Sequence, residues 1–215
     1  MASPVSSSAV APALTVRDAA PRVIAAGLAA CLLAYGFSRV SGLLAESVIL
    51  PVGTAAFVVG VGLTARSPRE YGWRWGRTRE HVRLLVGALV AIVVVVRLFV
   101  ALAGSTPYEP SLAEVVLVPL GEEALFRGLV PVVLVGRFAR WLPGPRAAPV
   151  AVVVSALAFG VGHLGNLGYV PTSFVLVQAV AATVFGLLAG WVRLRTDSLA
   201  GPVLLHTAMN TAAVL

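Results

Sequence analysis

The chain has 215 residues, of which 59% are hydrophobic and only 12% are charged. A soluble domain of this length cannot bury so large a share of apolar residues, so the composition indicates a membrane protein and excludes a sizeable soluble domain. The net charge of +7 comes from arginines that lie between apolar runs, where they act as orientation signals rather than as a nucleic-acid surface.

Seven apolar spans are predicted along the chain. Residues 1–20 are rich in Ser, Ala and Pro and are predicted to form a disordered tail, followed by one transmembrane domain over residues 21–215. Crossing a bilayer takes about 20 helical residues. Runs of that order lie at 21–39, 43–65, 82–104, 112–135, 147–163, 171–192 and 198–215. The predicted fold is an all-α, polytopic transmembrane helical bundle of about seven spans.

The placement of the arginines predicts that the N-terminus is cytoplasmic, in a multi-pass protein of the cell membrane. In that orientation thirteen of the sixteen arginines lie on the cytoplasmic side, which is the positive-inside pattern. The exceptions are Arg39, Arg97 and Arg127. Between the second and third spans, residues 67–77 combine Trp, Tyr and Arg and are predicted to lie at the level of the lipid headgroups.

Three charged residues lie inside the fourth span: Glu122, Glu123 and Arg127. Each costs about 2.5 to 3.5 kcal/mol to insert, so such residues normally face the bundle interior and mark function. Glu123 and Arg127 share a helix face as i and i+4, whereas Glu122 points about 140° away from Arg127. We interpret Glu123 and Arg127 as a structural ion pair, and Glu122 as a free carboxylate facing a hydrated cavity.

Two prolines interrupt the hydrogen bonding of this span. Pro119 has no N–H to donate to the Val115 carbonyl, which predicts a kink or a late helix start. Pro131 likewise has no N–H for the carbonyl of Arg127, so a similar irregularity can arise there.

Polar residues also lie in two later spans. The fifth span ends in Phe159 and His163, and the last span carries His206 and Asn210; both pairs have i, i+4 spacing. A glutamate, two histidines and an asparagine that converge in a hydrated pocket can activate water and stabilise an oxyanion. The predicted spans, however, place His163, Glu122 and His206 at different depths.

Three motifs therefore follow one another on separate hydrophobic helices: Glu-Glu-x-x-x-Arg at 122–127, Phe-x-x-x-His at 159–163 and His-x-x-x-Asn at 206–210. In this order they resemble the CPBP family of intramembrane proteases, which includes prenyl-protein (CAAX) endopeptidases and bacteriocin-processing or self-immunity proteins. The resemblance covers residues 112–215 and implies hydrolysis of a peptide bond in a membrane-associated peptide or protein substrate. It implies that Glu122 and His163 activate the attacking water, and that His206 and Asn210 bind the oxyanion. Glu123, Arg127 and Phe159 are then supporting residues.

Alternatives to a metal-free protease remain open from the sequence. Glu122, His163 and His206 form an alternative zinc ligand set with a free position for water. We prefer the mechanism without a cofactor, because Asn210 is a better oxyanion donor than zinc ligand. A non-catalytic scaffold or immunity protein that binds a partner is the second hypothesis. An ion-coupled transporter is the third, and the lack of an inverted repeat disfavours it.

Overall fold

A computed structural model describes residues 16–43, 67–103, 112–142 and 144–214. Within these ranges the chain is helical and has no β-strand, so the predicted all-α fold is confirmed. The main helices are α1 (Val16–Leu43), α2 (Val82–Ala103), α3 (Leu112–Glu123), α4 (Val130–Phe138), α5 (Ala147–His163), α6 (Thr172–Thr196) and α7 (Ala200–Val214).

The helices follow the predicted spans closely. The fourth predicted span corresponds to α3, a π-helical turn and α4 in succession, and five other spans correspond to single helices. The first helix begins at Val16, inside the segment assigned to the tail. The second predicted span, from residue 44 onward, and the tail up to residue 15 lie outside the described residues.

Four stretches in the described ranges are long and apolar enough to cross a bilayer: Ala19–Arg39, Arg79–Leu98, Gly144–Asn166 and Thr172–Thr196. Their apolar side chains are not all buried. Val86, Val90 and Val94 lie four residues apart on one face of α2 and are exposed. A continuous apolar face of this kind is a liability in water and matches the hydrocarbon of a membrane. The protein is therefore an all-α membrane helical bundle.

The bundle is organised around α5, which packs against α1, α4 and α6. Its centre contains the aromatic rings of Phe126, Phe159 and Phe185 together with Leu205 of α7. The α5–α6 contact is close because Gly160 of α5 has no side chain at the crossing. The polar residues of the candidate site lie around this aromatic centre.

Replacing Gly160 by alanine is expected to destabilise the bundle. An added Cβ would overlap the Thr183 hydroxyl and lie 2.6 Å from the Ala179 carbonyl oxygen, so α5 and α6 would have to separate. Overpacking of this kind costs about 1–3 kcal/mol. Unfolding in detergent measures the effect, with Gly87→Ala as the matched control. A Cβ at Gly87 meets nothing within 4 Å, so this variant should be neutral or more stable, and equal losses in both variants would contradict the close-packing explanation.

The aromatic and basic segment before α2 is attached to the turn between α6 and α7. Its short 3-10 helix, Pro68–Tyr71, ends at Gly72 in the left-handed conformation. The Gly72 carbonyl accepts a hydrogen bond from the Leu199 backbone N–H at 2.9 Å, and Arg74 forms an ion pair with Asp197. These contacts hold the beginning of α7, the helix that carries His206 and Asn210.

Candidate active site

The segment that carries the two glutamates leaves α-helical geometry directly after them. Ala124–Leu129 form a π-helix, in which the Val130 N–H donates to the Leu125 carbonyl. Such turns are rare and occur frequently at functional sites. Pro119 neither ends α3 nor delays its start, since the helix runs from Leu112 through the proline to Glu123. Of the two alternatives for Pro119, the late start is therefore wrong.

Pro131 and Ser155 together account for the hydrogen bonding of this turn. In π geometry each N–H bonds to the carbonyl five residues earlier, so Phe126 would need the N–H that Pro131 lacks. The Ser155 hydroxyl of α5 donates to the Phe126 carbonyl instead. From α-helical geometry, the missing N–H of Pro131 raised this question for the carbonyl of Arg127, whereas π-helical geometry raises it for that of Phe126.

Replacing Ser155 by alanine is expected to destabilise the protein by about 1–3 kcal/mol, the cost of leaving a buried carbonyl unpaired. Ser155 is buried, so water cannot easily take the place of its hydroxyl. Ser173→Ala is the control, because Ser173 is exposed on α6. If the two variants unfold at the same denaturant concentration, the Ser155 hydrogen bond does not support the π-helix.

Glu123 and Arg127 form a buried ion pair across i, i+4, as the sequence predicts. The Arg127 guanidinium nitrogen lies 3.0 Å from Glu123 Oε1, and the Glu123 side chain is fully buried. The guanidinium also lies over two rings, 4.3 Å from the Phe159 centroid and 5.4 Å from the Phe185 centroid. Aromatic faces attract a cation, so Arg127 is held by a carboxylate and by two rings.

His206 lies between the two glutamates. Its Nδ1 is 2.8 Å from Glu123 Oε1, and its Nε2 is 3.6 Å from Glu122 Oε2. Because a carboxylate only accepts hydrogen bonds, Nδ1 carries the proton and donates to Glu123. The His206 side chain is buried, whereas that of Glu122 is 31% exposed. Glu122 is thus the accessible carboxylate of the pair.

The contact with His206 changes the interpretation of Glu123. From helical spacing alone, only Glu122 was expected to face the histidines, with Glu123 engaged by Arg127. In the structure Glu123 Oε1 contacts both Arg127 and His206. The membrane depths estimated from the ends of the predicted spans did not predict the contact between Glu123 and His206. Helix tilt is set by packing and not by the length of the apolar run.

His163 and Phe159 form a second part of the site. The His163 Nδ1 lies 2.9 Å from the Phe159 carbonyl oxygen and donates to it. The Phe159 ring makes edge-on contacts with both imidazole rings, at centroid distances of 4.7 Å for His163 and 5.9 Å for His206. Phe159 therefore contacts both histidines. Among the described residues, no hydrogen bond or ion pair joins His163 to Glu122.

Asn210 follows His206 by one helical turn and is half-buried. No hydrogen bond from its amide to any other described residue is present, so both amide hydrogens are free to bind a ligand. The Nε2 of His163 is likewise without a hydrogen-bond partner in the described ranges.

The alternative zinc ligand set is not assembled in this structure. Glu122 and His206 face each other, but His163 does not join them, and no group of three His, Cys, Asp or Glu side chains in the described part of the chain is arranged to hold a metal ion. Two donors do not make the three-residue site of a catalytic zinc.

Two residues of the site were missed from the sequence. Phe185 packs against His206, with ring centroids 4.9 Å apart, and Ser155 completes the π-helix. An aromatic or hydroxyl residue in an apolar span has no local signal that separates a site position from ordinary packing. Their roles depend on which helix faces they meet.

One comparison with known proteins found a match, to a family model over the second half of the chain. The family model described as type II CAAX prenyl endopeptidase Rce1-like matches residues 104–212, a little over half of the chain. The matched range contains all four candidate catalytic residues: Glu122, His163, His206 and Asn210. No curated protein and no solved structure matches the chain. With a family match over every helix that carries the site, the chain belongs to the Rce1-like family of type II CAAX prenyl endopeptidases.

Proposed function

We propose that this membrane protease is an intramembrane endopeptidase that uses Glu122 to activate water against a peptide bond. The observation that carries the proposal is the arrangement at His206, where a fully buried Glu123 binds one ring nitrogen and a partly exposed Glu122 faces the other. Family membership supports the endopeptidase class. The contacts in the site support a role for each residue.

In the proposed mechanism His206 uses a proton on each of its two ring nitrogens, which face Glu123 and Glu122. In that form His206 donates Nδ1–H to Glu123 and still has Nε2–H to offer. A low-dielectric site strengthens such a donor, because little solvent competes for the developing charge.

The reaction then proceeds by addition and elimination. Glu122 takes a proton from water, and the water oxygen bonds to the scissile carbonyl carbon. The negative charge on the carbonyl oxygen is stabilised by His206 Nε2–H and the Asn210 amide. Glu122 returns its proton to the leaving nitrogen as the C–N bond breaks, which yields an amine and a carboxylic acid that then transfers its proton to the amine or to solvent. His163 assists by accepting a hydrogen bond from the water at Nε2.

The proposed substrate is a membrane-associated peptide or protein, prenylated or bacteriocin-like. The proposed domain is residues 21–215, in the cell membrane with a cytoplasmic N-terminus, and the tail proposed at 1–20 overlaps the start of α1 at Val16. The three arginines that depart from the positive-inside pattern support this orientation, because each has a partner in the bundle. Arg127 pairs with Glu123, Arg39 binds the Gly165 carbonyl and Arg97 binds the Ala212 carbonyl at 3.4 Å.

Cleavage of a farnesylated reporter peptide by the protein in nanodiscs tests the proposal, with the unprenylated peptide as the comparison. A single turnover in ¹⁸O-labelled water should place one ¹⁸O atom in the new carboxylate. A product free of ¹⁸O would contradict attack by water. Activity that is lost on chelation, together with one equivalent of bound zinc, would contradict the metal-free mechanism.

A further inference from the structure

Arg39, near the end of α1, binds the backbone that directly follows His163. One guanidinium nitrogen donates to the Gly165 carbonyl at 3.1 Å and to the Leu167 carbonyl at 2.6 Å. The guanidinium also lies 5.4 Å from the centroid of the Tyr169 ring. These contacts join parts of the chain that are more than 120 residues apart. They involve α1, which lies outside the range matched by the family model.

The segment 164–170, which we call the His163 loop, is held from two sides. On the α1 side, a Cβ added at Gly165 would overlap the Ser38 side chain and lie 3.0 Å from its backbone carbonyl carbon, so the two backbones are in close contact. On the α6 side, the Asn166 amide donates to the Gln178 side-chain oxygen at 3.0 Å. Arg39 is the only charged residue among these contacts of the described chain.

The chemistry of a helix end explains why a cation is placed here. α5 ends at His163 and continues as a short 3-10 helix, Leu164–Asn166. The last carbonyls of a helix have no partner within it and carry partial negative charge, which a nearby arginine stabilises. The contacts are partly buried, and loss of the cation removes the donor that the Gly165 and Leu167 carbonyls share.

We propose that Arg39 is a positioning residue for His163. His163 is the last residue of α5, and its ring orientation depends on the hydrogen bond from Nδ1 to the Phe159 carbonyl. That bond requires the final turn of α5 to stay helical, and Arg39 holds the chain that continues from this turn. The proposal rests on the proposed function of His163 in assisting the attacking water. It gives a part in the site to α1, which lies outside residues 104–212, the range that the family model matches.

The test compares Arg39→Ala and Arg39→Lys, with Arg22→Ala as the matched control on the same helix, since Arg22 is exposed. We expect Arg39→Ala to lower kcat by about 10²-fold with KM little changed, because a displacement of about 1 Å at a catalytic group has an effect of this size. Lysine keeps a cation with several N–H donors, so Arg39→Lys should recover part of the loss. Arg22→Ala should behave as wild type.

A second measurement is independent of catalysis. Amide hydrogen exchange should become at least about tenfold faster in the His163 loop of Arg39→Ala while α6 and α7 keep their protection, since local opening has its own free energy. Faster exchange with unchanged kcat would overturn the positioning role, and unchanged exchange would overturn the contact itself. Faster exchange throughout the bundle would also overturn the positioning role, because Arg39 would then stabilise the whole fold and not the His163 loop in particular. If the wild-type protein cleaves no peptide but the loop still loosens, the proposed function has failed and the contact stands.

Discussion

Replacing Glu122 by glutamine is expected to lower kcat by about 10²- to 10⁴-fold, the usual contribution of a general base. Glutamine has the shape of glutamate but cannot take a proton from water. The side chain is partly exposed and contacts His206 at 3.6 Å rather than through a short hydrogen bond, so the amide should be tolerated and the unfolding midpoint retained. Cleavage of the farnesylated peptide in nanodiscs, followed beside thermal unfolding, measures both quantities.

The control for this variant is Glu80→Gln, which removes an exposed carboxylate in the short helix Arg79–His81. It should cleave at the wild-type rate. If Glu122→Gln retains proteolysis, Glu122 is not the base. A protein that performs its cellular role equally well with glutamine at this position would be a scaffold or immunity protein. Solute transport in vesicles, abolished by the same substitution, would favour the ion-coupled transporter.

Replacing Arg127 by leucine is expected to destabilise the protein by about 3–5 kcal/mol, the usual cost of leaving a buried charge without its partner. Glu123 is fully buried and would retain only its hydrogen bond with His206. The variant also loses the cation contacts with Phe159 and Phe185. Reversible unfolding in mixed detergent is the appropriate measurement.

The double variant Glu123→Leu/Arg127→Leu separates stability from function. Because apolar residues of similar volume can replace a buried ion pair without net cost, the double variant should recover most of the lost stability. It should nevertheless cleave about 10²-fold more slowly than wild type, since His206 no longer has a partner at Nδ1 to orient its ring. A double variant as unstable as Arg127→Leu would show that the uncompensated charge is not the cause. Full activity would show that Glu123 does not orient His206.

Local spacing was sufficient to predict several features of the site. The ion pair between Glu123 and Arg127 depends only on two side chains one helical turn apart, and it is present. The proximity of His163 to Phe159 follows from the same i, i+4 spacing. The greater exposure of Glu122 agrees with its predicted position on a different helix face.

Other features depend on how one helix is rotated against another. The hydrogen bond from His206 to Glu123 joins residues 83 positions apart, and spacing within either helix cannot predict it. The π-helix also required knowledge of α5, because the Ser155 hydroxyl takes the place of the donor that Pro131 lacks. From the fourth span alone, α-helical geometry directed attention to the carbonyl of Arg127 and not to that of Phe126, which Ser155 binds.

The sequence by itself determined that the chain crosses a membrane as helices. Its long apolar runs carry few charges, and in lipid such a run satisfies its own backbone hydrogen bonds by forming an α-helix. It also determined which residues had to be inside, since charged groups at that depth are costly unless they have partners. Apart from the Glu123–Arg127 pair, which helical spacing predicts, tertiary structure decided which residues those partners are. The bundle is built mostly of Ala, Val, Leu and Gly, and close packing at a few small residues such as Gly160 sets the rotation and distance of neighbouring helices. This packing brings His206 to both glutamates and Arg39 to the end of α5.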